Sequence, residues 1–283
     1  MSRFTFVWLL LVVLSLPGCG SEQDSSTSSS TAPAAEVPAP APIPPPKVTA
    51  RVVAPLDALQ ASAEAGNADA QVQLANMYYD GREVEQNRTT AVEWYLRAAE
   101  QGIAEAQYNL GHAYRSGEGV DQDPARAAEW YRKAAEQGYA DAQYNLGLMC
   151  AQGLGVERNL AEAEKWLLLA AEQDVSDAQY NLGVMYVLGS GGEQKPKEGA
   201  KWYRRAAEQG HVKAQYNLGA VFAQGIGVQQ SWVEAYRWFG IAEAAGVDEA
   251  SEAVEMCVAR MSVAEIQRAQ KMIDEFTSRP PAE

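Results

Sequence analysis

The sequence predicts an all-α fold, an α-solenoid of stacked two-helix units closed by helical caps. Three observations predict it. The hexapeptide AQYNLG begins at Ala106, Ala142, Ala178 and Ala214, each copy 36 residues after the last. Tryptophans keep the same interval at Trp94, Trp130, Trp166, Trp202 and Trp238. Within a unit the apolar residues fall three or four apart on two successive stripes, the spacing of helices, and no segment alternates as a strand does. A repeat of about 20–50 residues signals an array in which each unit buries its apolar face on its neighbours.

The elements follow in chain order. Residues 1–18 read as an export signal. Arg3 is a short basic region, and residues 4–14 are apolar except for Thr5. Such a run is too short to cross about 30 Å of hydrocarbon as a stable helix. It ends in Leu16-Pro17-Gly18-Cys19, which resembles the bacterial lipobox. That resemblance implies cleavage before Cys19 and lipidation of its thiol; Pro17 departs from the small or β-branched residue usual at its place. An ordinary cleaved secretory signal with an incidental cysteine is the alternative. Two or three acyl chains hold a protein on a membrane durably, whereas one does not. By resemblance to Gram-negative lipoproteins, Gly20 in place of an aspartate implies an outer-membrane lipoprotein facing the periplasm, within the bacterial cell envelope.

Residues 19–52 read as a tether. Its first part is rich in Ser and Thr and its second, APAAEVPAPAPIPPPK, is rich in proline. Neither buries enough apolar surface to offset the entropy of ordering. The proline-rich part favours extended polyproline II at about 3.1 Å per residue, so the tether reaches roughly 100 Å. Residues 53–66 then form a capping helix, a half-unit without its tryptophan.

Five units follow, at 67–102, 103–138, 139–174, 175–210 and 211–246. In the second, Ala106, Leu110 and Tyr114 define helix A. Gly117 and Gly119 break it, and Asp123-Pro124 restarts the chain as a cap followed by proline at the first helical position. Ala127, Tyr131 and Ala134 define helix B, and Gly138 closes it, because glycine tolerates the left-handed conformation there. The helix B cap recurs as Asn87, Asp123, Asn159, Lys195 and Ser231, with Lys195 the poor capper. The closing position recurs as Gly102, Gly138, Asp174, Gly210 and Gly246. Aspartate visits the left-handed region more readily than most residues, which suits Asp174.

Gly111, Gly147, Gly183 and Gly219 stand in mid-helix, where glycine costs about 1 kcal/mol relative to alanine. The compensation expected is close approach of helix B, with its large ring lying where a Cβ would be. Ala75 occupies the place in the first unit. Residues 247–279 read as a degenerate unit and terminal cap. Glu255 takes the glycine's place, SVAE at Ser262 to Glu265 is a capping box, and Val263, Ile266, Ile273 and Phe276 share one face of the last helix.

At these residues a family resemblance is carried. The stretch WYRKAAEQGYADAQYNLG, from Trp130 to Gly147, closely resembles the Sel-one-like repeat, a relative of the tetratricopeptide repeat, and the likeness covers residues 67–246. It implies a concave groove lined by helix A residues. Carried over position by position, one row is Tyr108, Tyr144, Tyr180 and Tyr216, with Val72 in the first unit. A second is Asn76, His112, Leu148, Val184 and Ala220, and a third is Tyr79, Arg115, Ala151, Val187 and Ala223. The tyrosines are either groove contacts or packing residues. The varying rows change from polar in the first two units to apolar in the last three. The function implied is a non-catalytic scaffold holding a protein or peptide partner.

Chemistry is otherwise sparse. Formal charge is −14 and the pI about 4.7. Phosphate backbones are bound through neutralising Lys and Arg, so no nucleic acid is expected. His112 and His211 have no Cys or carboxylate at ligand spacing, so no metal and no cofactor is expected. LGSGG at 188–192 is the fourth unit's inter-helix turn; the Lys and Ser/Thr of a phosphate loop do not follow it. Glu100, Glu136, Glu172 and Glu208 are one exposed structural position repeated. Cys150 and Cys257 stand three units apart, too far for a disulfide, and are expected to be free and buried. Two alternatives to the scaffold remain. One is a module binding cell-wall glycan through exposed aromatics. The other is a β-lactam-binding or hydrolysing enzyme, as suggested for some cysteine-rich members of the resembled family; the cysteine pair of each such repeat is missing here.

Overall fold

The computed structural model describes residues 56–278. The export signal, Cys19 and the tether at 19–52 lie outside them. Thirteen helices and no strand occur among the described residues. α1 (Leu56–Glu64) is the half-unit. Helices A are α2 (Ala68–Asp80), α4 (Ala104–Ser116), α6 (Ala140–Gln152), α8 (Ser176–Leu188) and α10 (Val212–Gln224). Helices B are α3 (Arg88–Glu100), α5 (Pro124–Glu136), α7 (Leu160–Glu172), α9 (Pro196–Glu208) and α11 (Trp232–Ala244). α12 (Asp248–Val258) and α13 (Val263–Thr277) end the stack. From α1 to α12 each helix packs chiefly on those before and after it in the chain, the arrangement of a helical solenoid.

Local chemistry places the ends. Asn87, Asp123, Asn159 and Ser231 each accept the backbone N–H three residues on, satisfying one orphan donor of helix B. Lys195 begins α9 with no side-chain cap. Helix B closes through left-handed residues: φ is +91° at Gly102, +87° at Gly138 and +64° at Asp174. In the second unit Gly138 N–H donates to Ala135 O at 3.0 Å and Tyr139 N–H to Ala134 O at 3.1 Å, the paired bonds of a Schellman stop.

The mid-helix glycines are contact points. A Cβ on Gly111 would lie 2.8 Å from Tyr131 Cδ1, and one on Gly183 would lie 2.4 Å from Tyr203 Cδ1. On Gly219 the distance is 2.7 Å to Phe239 Cδ1. In the third unit the neighbour is Leu167 Cγ at 2.9 Å, not a ring, so the expectation of a ring at every such position is corrected there. A second contact holds units together. Gly155 has φ +70°, and its absent Cβ would meet Pro124 O at 2.2 Å, at the start of the previous helix B. The equivalent residue of the first unit is Glu83, at φ +59°, where the described fold has no earlier full helix B to press on it.

The far end departs from the pattern. α12 ends at Ala259 with φ −62°, without the left-handed glycine that ends every other helix A. Four residues later α13 begins, and it packs on α11 rather than on α12. Phe276 meets Trp238 edge-on at 5.6 Å, and Ile273 seats against Gly240. Val263 does not share this contact: it is 72% exposed, so the expected apolar face of α13 begins one turn later. Glu255, with no helix B over it, is exposed. Cys150 and Cys257 are free and fully buried.

Candidate functional site

The helix A rows are set by the units themselves. Each helix A is held on one side by its own helix B and on the other by the helix B before it, so most residues of the rows are buried. Tyr108 is 1% exposed, its ring lying 5.7 Å from Tyr131 and 5.1 Å from Tyr139. Tyr144 is buried, and its hydroxyl accepts from Asn181 Nδ2 at 3.5 Å. Tyr180 is half-buried and stacked on His211, with centroids 4.6 Å apart and planes at 19°. Tyr216 is half-buried beside Phe239 at 5.3 Å. Exposure along this row therefore rises toward the C-terminal units. Burial raises the pKa of all four hydroxyls, so they stay protonated.

In the second row His112 is buried and desolvation lowers its pKa, so the imidazole is neutral near pH 7. Leu148 and Val184 are buried beside it in register, and Ala220 is half-buried. In the third row Tyr79 donates its hydroxyl to Glu118, while the Arg88 guanidinium lies 5.4 Å from its ring centroid and 3.7 Å from the Glu118 carboxylate. Arg115 is half-buried, and its Nη1 donates to Asn145 Oδ1 at 2.6 Å. Val187 is buried. The rows thus join Tyr79, Glu118 and Arg88 in one cluster, and Arg115 and Asn145 in another.

Two features escaped the sequence reading. The first is a buried glutamine ladder. Gln143 Nε2 donates to Ala135 O at 3.1 Å, and Gln143 Oε1 accepts from Gln173 Nε2 at 2.8 Å. The same pair of bonds joins Gln71, Gln107 and Gln179 to their neighbours, so three consecutive helices are stitched at each step. The signal was present: Gln71 persists in the first unit, where the neighbouring Tyr and Asn are replaced by Val72 and Gln73. The ladder ends at Gln215, whose Oε1 is buried without a donor because Ala245 stands where the next glutamine would. The second feature is the residue before each helix A. Tyr139 and His211 cover the tyrosine of the preceding unit, and His211 also accepts from Ala214 N–H through Nδ1 at 3.1 Å. With Nδ1 the acceptor, Nε2 carries the proton toward Asp177 Oδ1 at 3.2 Å.

The repeating tryptophans, of which Trp94, Trp166 and Trp238 are buried and Trp130 and Trp202 half-buried, are engaged by cations of their own chain. Arg97 lies 4.2 Å from the Trp94 centroid and Lys133 Nζ 3.7 Å from that of Trp130, and Lys165, Arg205 and Arg237 repeat the contact. No group of three or more His, Cys, Asp or Glu among the described residues could hold a metal ion. No helix among them is long and apolar enough to cross a membrane.

Stacked helix pairs with a varying inner row define the class: a repeat solenoid of tetratricopeptide type. The Sel1 repeat matches five times, at residues 68–103, 104–139, 140–175, 176–211 and 212–247. The chain belongs to the Sel1 repeat family. It is similar to a Sel1 repeat protein of Oxalobacter formigenes, with 30% identity over 78% of this chain and 92% of that one, and a TM-score of 0.67. It is also similar to a protective antigen of uropathogenic Escherichia coli with an SLR fold, at 29% identity and TM-score 0.52. That likeness covers 79% of this chain and 56% of the other. No curated protein matches the chain. Sel1 repeat proteins generally mediate protein–protein interaction and are generally non-catalytic scaffolds.

Proposed function

We propose that this protein is a lipid-anchored scaffold of the bacterial envelope that holds a protein or peptide partner along its helix A face. The observation that carries this is the contrast between rows. The packing positions repeat with little change, whereas the positions of His112 and Arg115 change chemistry from unit to unit. Packing needs repetition and does not need that variation. The half-buried Tyr180, Tyr216 and Ala220 supply contact area toward the C-terminal units, and tyrosine suits an interface because its ring is large and its tip polar. Nothing in this arrangement calls for catalysis. The glycan alternative gains no support from the tryptophans, which already stack on cations of the same chain.

The anchor is Cys19, with the outer membrane as its address and the tether as its spacer. Two measurements test the reading. Metabolic labelling with a palmitate analogue is expected to mark the wild-type chain and not Cys19→Ala. A photo-reactive residue at Ala220 is expected to capture a partner that the same residue at the exposed Glu172 does not. Equal capture at both places would remove the helix A face from consideration.

A further inference from the structure

The helix B caps repeat, but the residues just after them do not. Asn87 opens α3 as Asn159 opens α7, each accepting the backbone N–H three residues on at 3.0 Å. Two places after the cap the later units carry Ala125, Ala161, Lys197 and Val233, whereas the first carries Thr89. Threonine is a poorer helix former than alanine. Thr89 is exposed, and its hydroxyl makes no hydrogen bond among the described residues. Capping explains Asn87, and nothing in the packing explains Thr89.

Read together, Asn87-Arg88-Thr89 is an acceptor sequence for an N-linked glycan, Asn-x-Ser/Thr with x other than proline. No other asparagine of the chain has Ser or Thr two places on. Glu85, two places ahead, adds the acidic residue common in bacterial acceptor sequences. The geometry suits attachment. Residues 85–89 are all exposed, where the chain passes from α2 into α3. Asn87 itself is extended, at φ −145° and ψ 95°. Its two amide atoms are used unequally: Oδ1 holds the Thr90 N–H, while Nδ2, the atom a glycan would take, makes no hydrogen bond among the described residues. A sugar on Nδ2 therefore leaves the cap of α3 in place.

We propose that Asn87 Nδ2 is the attachment site of an N-linked glycan. The inference rests on the reading that the chain is exported to the envelope, and not on the helix A face. An amide nitrogen is a weak nucleophile because its lone pair is delocalised into the carbonyl, so transfer needs an enzyme, and the Thr89 hydroxyl is the group by which such an enzyme holds the acceptor. The donor is a glycan linked to a polyisoprenyl diphosphate. Nδ2 forms a bond to C1 of the first sugar, the bond from C1 to the diphosphate oxygen breaks, the lipid diphosphate leaves with that electron pair, and Nδ2 releases one proton. In the finished fold the start of α3 is closed over by the second unit, since a Cβ on Gly119 would lie 2.3 Å from Arg88 O and 2.9 Å from Thr89 N. Transfer therefore precedes docking of that unit, while the chain is still emerging.

The test is mass spectrometry of the full chain purified from its own host grown with the palmitate analogue. Tryptic peptide 83–88 is expected to carry the added mass of a chain of sugars, with fragmentation placing it on Asn87. Asn87→Asp, which keeps a capping oxygen, and Thr89→Ala, which keeps Asn87 and its cap, should each abolish the mass. Thr89→Ser should retain it, a rescue that a purely structural role for Thr89 would not give. Ala161→Thr, which completes the same pattern at Asn159 behind Glu157, is expected to add a second glycan there. An unmodified Asn87 on a chain that carries the palmitate label would overturn this inference alone. A chain with neither would overturn the envelope reading and this inference together. A glycan found only on Ser or Thr hydroxyls, or one on Asn87 that persists in Thr89→Ala, would overturn the acceptor assignment.

Discussion

Replacing Gly183 by alanine isolates the contact on which the repeat depends. Alanine is the better helix former, so on propensity alone the change stabilises α8 by about 1 kcal/mol. Against this stands the added methyl, 2.4 Å from Tyr203 Cδ1 and 2.6 Å from Cε1. Carbon atoms pack at about 3.5–4.0 Å, so the ring has to retreat by more than about 1 Å. Tyr203 is fully buried, and its hydroxyl accepts from Asn217 Nδ2 at 3.4 Å, so it has nowhere to swing. The helices must separate instead, at an overpacking cost of about 1–3 kcal/mol or somewhat more. With a 2.4 Å contact the upper part of that range applies, so the net expectation is destabilisation by about 2 kcal/mol, which for a chain of this size lowers the melting temperature by roughly 4–8 °C. Because arrays unfold in part, thermal circular dichroism is best paired with hydrogen exchange, which should show lost protection in α8 and α9 first. Gly147→Ala should cost less, since Leu167 can change rotamer, whereas Gly147→Leu should lower the melting temperature sharply. Combining Gly183→Ala with Tyr203→Leu should cost less than the sum of the two. Melting of Gly183→Ala at or above the wild-type temperature would refute the close-approach account.

The remaining expectations concern other contacts. Ala245→Gln should extend the glutamine ladder by giving the buried Gln215 Oε1 a donor, raising stability by about 0.5–1.5 kcal/mol in urea unfolding; no gain would mean that the ladder does not act step by step. Gly155→Ala should be strongly destabilising because it combines φ +70° with a backbone atom at 2.2 Å, while Glu83→Gly at φ +59° should be neutral or stabilising; equal effects would argue against the inter-unit contact. His112 has a folded pKa held below its ordinary 6.5 by burial, so the unfolded chain takes up a proton that the folded chain refuses as the pH drops through that value. Stability should therefore fall on acidification from pH about 7 to 5, and less so in His112→Gln, as read from denaturation midpoints. Glu162 is shifted the other way, its pKa lowered mainly by the bond from Arg132, so its contribution is present above its ordinary 4.5 and lost as the pH falls below that. Glu162→Gln should narrow the difference between unfolding midpoints at pH 6 and pH 3; an unchanged difference would count against the pair.

Much of the fold was legible because repetition averages out local ambiguity. One Asn before a helix is a weak sign, but Asn87, Asp123 and Asn159 at one interval leave little choice, and each caps its helix. Asp174 was legible for the same reason, since its register demanded a left-handed residue. What the letters did not disclose was depth. Tyr108 and Tyr180 are spelled alike, yet one is sealed by Tyr139 and the other lies half open beside His211, because the covering residue belongs to the next unit and varies. Leu167 opposite Gly147 was missed because the packing argument was made for rings. The glutamine ladder went unread because its partners stand 30 residues apart, not 36, and join a helix end to a helix interior.

Glu255 gives the molecule a direction in which it stops. Modular arrays invite growth, since the last module exposes the surface on which another would sit. Here a charged side chain occupies the one spot where an incoming helix would need bare backbone, and the final helix has been led away to the neighbouring flank. A further unit could not dock on α12 as units dock on the mid-helix glycines, so the packing rule that builds the array does not carry past this helix.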